Sequence, residues 1–198
     1  MGLLRCFLAV EVPAPLQEAI QTATADTRKR LGQRLVRWVP GHNVHLTLKF
    51  LGDTSDASAS LVQNMLTVEV RQFEPFDLSV RGIGAYPSTQ RPRVIWVGVT
   101  APPALASLHH QLDAATARLG FSADNREFSP HLTIGRVRPN ATAEDAQELE
   151  GALEDARIGP LGSVRVEAIH LFKSDLRAAG SVYTRLFSAP LGMAERDS

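Results

Sequence analysis

Hydrophobic and polar residues alternate over two short stretches of the chain, and the same pattern occupies both. Val44, Leu46, Leu48 and Phe50 interleave with His45, Thr47 and Lys49, while Leu132 and Ile134 interleave with His131 and Thr133. A period of two predicts a half-buried strand. Successive side chains on a strand point to opposite faces, so each His shares a face with the Thr two residues on.

Other elements are predicted around these two strands. Leu3 to Glu11 is rich in strand formers and stops at Pro13; Pro15 then suits the first turn of a helix. That helix carries Leu16, Ile20, Ala23, Thr27 and Leu31 at helical spacing, with Arg28, Lys29 and Arg30 near its end and Gly32 as its stop. Arg37 to Val39 is extended. Asp53 or Asp56 caps a helix running through Leu61, Met65 and Val68 towards Phe73. Phe76 to Ile83 reads as a strand, Gly84 to Pro92 as a loop and Val94 to Val99 as another strand. Pro102-Pro103 opens a helix with Leu105, Leu108, Leu112, Ala115 and Leu119 on one stripe, closed by Gly120. The second motif strand runs from Phe128 to Val137. Thr142 to Asp145 resembles a capping box ahead of Leu149 and Leu153. Val164 to Lys173 and Ser181 to Ser188 are the last strands, joined around Ala178-Ala179-Gly180, with a frayed tail after Pro190. Strands and helices follow one another twice in similar order, which makes the class α+β.

At 198 residues, 44% hydrophobic and 21% charged, the chain has the composition of one globular domain spanning 1–198. Formal net charge is zero, so no broad electrostatic hold on a polyanion is expected and any nucleic-acid contact is local. One cysteine, Cys6, excludes an intramolecular disulfide and a cysteine-based zinc site. No run reaches the roughly 18 apolar residues of a membrane span, and the apolar N-terminus lacks a small-residue cleavage site. A cytoplasmic monomer is the expectation.

The repeated His-x-Thr changes the picture from class to chemistry. In-line displacement at phosphorus needs a base behind the attacking water and an acid on the leaving oxygen. Histidine serves both roles near neutral pH, and hydroxyl donors stabilise charge on the non-bridging oxygens. Two His-x-Thr strands facing a common cleft supply acid, base and two donors, with neither metal nor cofactor required. His42, three residues before His45, does not make a zinc site, because no carboxylate or Cys cluster accompanies the pair. His109, His110 and His170 carry no assigned role.

The two copies, HLTL at His45 and HLTI at His131, resemble the paired HxTx signatures of the 2H phosphoesterase superfamily. The flanking residues resemble its bacterial RNA 2′,3′-cyclic phosphodiesterase branch, the LigT-like or 2′-5′ RNA ligase family: Arg5 to Ala9, Trp38 before HLTLKFLG, Pro92 to Gly98, FSPHLTIGR from Phe128, and Leu171 to Tyr183. The resemblance implies a bilobal fold, with two pseudo-symmetric lobes whose antiparallel sheets surround a central cleft and with helices outside. It implies hydrolysis of an RNA or oligonucleotide 2′,3′-cyclic end to a 2′-phosphomonoester, with weak reverse ligation. It also implies His131 as proton acceptor and His45 as proton donor, an assignment the symmetry of the motif leaves open. A small cyclic phosphate as substrate, or a binding module without turnover, are the alternatives.

Substrate-binding candidates follow. Arg136 occupies the family's HxTxxR position, although strict alternation puts it with Leu132 and Ile134, so a twist or bulge at Gly135 has to re-aim it. Lys49 shares the parity of His45 and Thr47. Arg93 is a phosphate-side candidate. Trp38 and Phe7, like Phe128 and Trp96, are candidates to stack a base or ribose.

Overall fold

The computed structural model describes residues 3–177 and 180–192. Its strands are β1 (Leu4–Glu11), β2 (Val36–Trp38), β3 (His45–Thr54), β4 (Phe76–Tyr86), β5 (Val94–Thr100), β6 (His131–Val137), β7 (Pro160–Val166), β8 (Ala168–Arg177) and β9 (Gly180–Pro190). Its helices are α1 (Ala14–Ala23), α2 (Ala25–Leu35), α3 (Asp56–Glu69), α4 (Pro103–Arg118) and α5 (Ala143–Asp155). The strands join in the order β7-β4-β5-β6-β3-β1-β8-β9, with β2 added to β6, and the paired strands are antiparallel.

The middle of that sheet is a crease. β3 and β6 are paired only at Leu46 and Leu132, whereas each runs alongside its outer neighbour, β1 or β5, in a long ladder broken only by bulges. Two lobes therefore meet at one residue pair. After α3 the chain crosses to the second lobe, where β4 pairs β5; after β7 it returns, and β8 pairs β1. The chain thus passes back and forth between the lobes, and each lobe is built from segments of both halves of the sequence.

One face of the sheet carries all five helices. Leu16 and Ile20 from α1, Leu31 and Leu35 from α2, Val62 and Leu66 from α3, Leu105, Leu108 and Leu112 from α4, and Leu149 and Leu153 from α5 join one cluster with Leu8, Val10, Leu46, Leu132 and Ile134. Burying these aliphatic side chains is the main driving force for closing the helix layer on the sheet. The opposite face, which the helices leave open, carries a smaller group of Phe7, Ala9, Phe172 and Tyr183.

Several expectations are corrected. The first helix breaks at Thr24 into α1 and α2, and Gly32 (φ 60°) interrupts α2 rather than ending it. Ser55, not an aspartate, caps α3 by accepting from the Ser58 N–H. That helix buries Ala59, Val62 and Leu66, leaving Leu61 and Val68 53% and 71% exposed. β4 continues three residues further, to Tyr86, which moves an aromatic side chain into the cleft. The single strand expected over Val164 to Lys173 is two, β7 and β8, which lie in opposite lobes. The capping box at Thr142 and Asp145 is present as the spacing predicts. Ala178 and Ala179 lie outside the described residues, as does the tail from 193.

Candidate active site

Strand register brings the two motifs together. In an antiparallel pair, one step forward on one strand is one step back on the other. Continuing from Leu46 opposite Leu132 sets His45 across from Thr133, and Thr47 across from His131. The Leu46–Leu132 pair thus lies between the histidine and threonine of each motif and brings the two motifs together.

The supporting strands repeat this symmetry. On β1, Glu11, Ala9, Leu8 and Phe7 stand opposite His45, Thr47, Lys49 and Phe50. On β5, Gly98, Trp96, Ile95 and Val94 stand opposite His131, Thr133, Gly135 and Arg136. Leu48 and Ile134 have no partner, so each motif strand bulges at the residue after its threonine. A bulge reverses the facing of everything beyond it. It carries Arg136 onto the histidine face, as the sequence requires, and it carries Lys49 off that face.

The expected role of Lys49 is therefore corrected. Its ammonium is 1% exposed on the helix side, paired with Asp113 of α4, 3.2 Å from Asp124 and 2.7 Å from the Ser122 carbonyl. A buried charge persists when it is paired and hydrogen-bonded, and this one ties β3 to the segment leading into β6. Burial pushes the Asp113 carboxyl up, but the Lys49 ammonium and the Asp124 N–H outweigh that and hold it below its ordinary value.

Trp38 is corrected as well. It pairs with Gly135 on the helix side, donates to the Gly32 carbonyl at 3.1 Å and lies 4.8 Å beneath the Arg28 guanidinium. A Cβ at Gly135 would come within 2.7 Å of Val36 and 2.9 Å of Trp38. Gly135→Ala is expected to cost about 1–3 kcal/mol through overpacking, read from a thermal melt; an unchanged midpoint would contradict this packing. Arg93 lies beside Arg91, Arg138 and Leu149 in a separate hollow, one residue out of phase with the cleft-facing Val94. Phe7 reaches the site but is 3% exposed, so it floors the His45 ring instead of offering a free face to a base. Phe128 stacks on His109 at 3.9 Å, and Trp96 lies on the cleft face 6.5 Å from His131.

Both histidines are held in the same way. His45 Nδ1 lies 2.8 Å from the Asn43 carbonyl and His131 Nδ1 2.7 Å from the Ser129 carbonyl. A carbonyl only accepts, so Nδ1 carries the hydrogen and Nε2 is left for chemistry in each ring. The two tyrosines of the chain complete the cages. Tyr183 meets His45 edge-on at 5.1 Å, and Tyr86 meets His131 at 4.9 Å while donating to Ser129 Oγ at 2.8 Å. Phe7 stacks on His45 at 4.7 Å, backed by Phe172. These tyrosines carry no local signal; only the folded register brings them to the rings.

The His45 ring sits in a strongly desolvating environment. Burial pushes His45 down to about 4; its carbonyl partner works against that and the nearby Arg136 guanidinium adds to it. A recess of about 230 Å³ opens beside His45, lined by Glu11, Gln17, His42, Tyr183 and Arg185. Among the described residues no three His, Cys, Asp or Glu side chains gather to hold a metal ion, and no helix is long and apolar enough to cross a membrane.

Comparison with known proteins places this geometry. The family model for the 2′-5′ RNA ligase superfamily matches residues 12–178. The RNA 2′,3′-cyclic phosphodiesterase of Methanothermobacter thermautotrophicus is 35% identical over 181 residues, 91% of this chain and 95% of that protein. The RNA 2′,3′-cyclic phosphodiesterase of Thermotoga maritima is 31% identical over 93% of this chain and 94% of its own. The crystal structure of Escherichia coli LigT complexed with 3′-AMP has a TM-score of 0.75 at 28% identity, covering 96% of this chain and 99% of that one.

Proposed function

Because this chain belongs to the 2′-5′ RNA ligase superfamily, in the LigT-like branch of the 2H phosphoesterases, we propose that it opens the 2′,3′-cyclic phosphodiester at an RNA end to leave a 2′-phosphomonoester. The observation that carries this reading is the antiparallel Leu46–Leu132 pair, which sets the two His-x-Thr motifs side by side at the crease.

The reaction follows from that arrangement. A phosphodiester seated over the crease has a histidine on each side and a threonine hydroxyl near each non-bridging oxygen. His131 Nε2 takes a proton from water as the water oxygen bonds to phosphorus. The bond from phosphorus to the 3′ oxygen breaks, and His45 Nε2 gives that oxygen its proton. Arg136 and the two threonines stabilise the charge gathered on phosphorus. The same displacement with a 5′-hydroxyl in place of water bonds that oxygen to phosphorus, releases the 3′ oxygen as a hydroxyl and forms a 2′-5′ linkage, so weak ligation accompanies hydrolysis. One chain supplies every group named, which suits a monomer, and RNA-end chemistry suits a cytoplasmic setting.

His45 at about 4 is neutral in the free protein near pH 7, which bears on its role as acid. An anionic substrate between His45 and Arg136 offsets the guanidinium and favours the imidazolium. The pH profile of kcat/KM reports the free enzyme, and His45 must be protonated to act, so its titration sets the limb that falls as pH rises above about 4. Arg136→Met removes a cation that disfavours His45 protonation, so that limb moves to higher pH. A limb that stays in place would separate Arg136 from His45.

The test of the activity is a short RNA with a 2′,3′-cyclic end, incubated in EDTA, with the product resolved by phosphorus NMR. Turnover to the 2′-phosphate is expected; strict metal dependence or a 3′-phosphate product would overturn the proposal.

A further inference from the structure

The paired motifs account for one phosphate, but the cleft face carries a second unmatched cation. Arg37 on β2 is the direct cross-strand partner of Arg136 on β6. Its neighbours Val36 and Trp38 are fixed on the helix side against Gly135, so Arg37 is turned to the face that Arg136 shares with the histidines. Both arginines are exposed. Among the described residues neither guanidinium lies within 4 Å of a carboxylate, whereas Arg30, Arg34, Arg118, Arg165 and Arg185 each do.

This pair runs against the needs of folding. Cross-strand partners lie about 5 Å apart at Cβ, and like charges directly opposite are destabilising. The β2 register is already set by Trp38, through its bond to the Gly32 carbonyl and its contact with Arg28, so Arg37 contributes nothing to it. An anion shared by or placed beside the two guanidiniums would relieve the repulsion through charge-assisted hydrogen bonds. The histidine-side phosphate occupies Arg136. Consecutive phosphates in a nucleotide chain are one ribose apart, a separation that two long side chains on neighbouring strands can follow.

We propose that Arg37 binds the phosphodiester immediately 5′ of the cyclic end, making the protein selective for an oligonucleotide over a cyclic mononucleotide. The inference rests on the proposed cyclic phosphodiesterase activity and names its substrate class. It fits the zero net charge of the chain: recognition is confined to two phosphates instead of spread over a basic surface.

The test compares kcat/KM for a nucleoside 2′,3′-cyclic phosphate and for the dinucleotide ending in the same cyclic nucleoside. A charged hydrogen bond of the usual strength predicts about a 10- to 100-fold preference of the wild type for the dinucleotide. Arg37→Gln collapses that ratio towards one, and Arg37→Lys restores much of it. The salt dependence of log kcat/KM on the dinucleotide becomes shallower by roughly 0.7 in Arg37→Gln, the contribution of one single-strand phosphate contact. No wild-type preference, or an Arg37→Gln loss equal on both substrates, overturns the role of Arg37 while leaving the cyclic phosphodiesterase reading intact. Wild type inactive on both substrates defeats the reading on which both rest.

Discussion

Replacing His131 by alanine is expected to lower kcat on a cyclic RNA end by about 10²–10⁴-fold, the range for loss of a positioned proton acceptor. His45→Ala is expected to fall in the same range. Neither substitution should unfold the protein: the His131 ring is held by one carbonyl bond and an edge-on tyrosine, and the leucines beside both rings carry the core contacts. Single-turnover rates with unchanged thermal midpoints would support paired roles. Mutants that keep wild-type rates would place the chemistry elsewhere.

Asp113→Ala is the second large effect, and it acts on stability. It leaves the Lys49 ammonium, 1% exposed, with only the half-exposed Asp124 and the Ser122 carbonyl. Stranding one partner of a buried pair costs about 3 kcal/mol or more, which for a chain of this size lowers Tm by roughly 6–12 °C. The pH dependence has a definite sign. Asp113 is held below its ordinary value, so the stability it contributes is complete above the unfolded carboxylate range and is lost as pH falls through the folded value. The gap between wild type and Asp113→Ala therefore closes in acid. Replacing both partners with apolar residues should recover part of the loss, because no buried charge remains. A gap that is constant with pH would contradict the ion pair.

These two predictions show what the chain reveals before folding and what it withholds. Alternation around His45 and His131 announces both motif strands, and the spacing from Thr142 to Asp145 announces a helix cap, because each depends on residues close in sequence. The bulges do not announce themselves. They arise because β1 and β5 skip Leu48 and Ile134 in pairing, a tertiary constraint that strict alternation cannot contain. Lys49 and Arg136 follow their motif threonines by two and three residues, so the same irregularity sends one to the helix layer and the other into the cleft. Trp38 leaves the face expected of it for a related reason: a three-residue strand has too few positions to show its parity. The turn of chain at Glu167, which sends β7 and β8 to different lobes, has no Gly or Pro to mark it. On α3 an apolar stripe exists on two faces, and packing against the sheet selects Val62 and Leu66 over Leu61 and Val68.

The resemblance in sequence and the paired motifs in the structure lead to one chemical claim: the histidines divide acid and base across phosphorus. A cyclic substrate with sulfur in place of the 3′ bridging oxygen tests it directly, because a thiolate leaves without needing a proton. The account predicts that His45→Ala recovers most of its rate on this substrate while His131→Ala does not. Equal rescue of both variants, or rescue of His131→Ala alone, would contradict it.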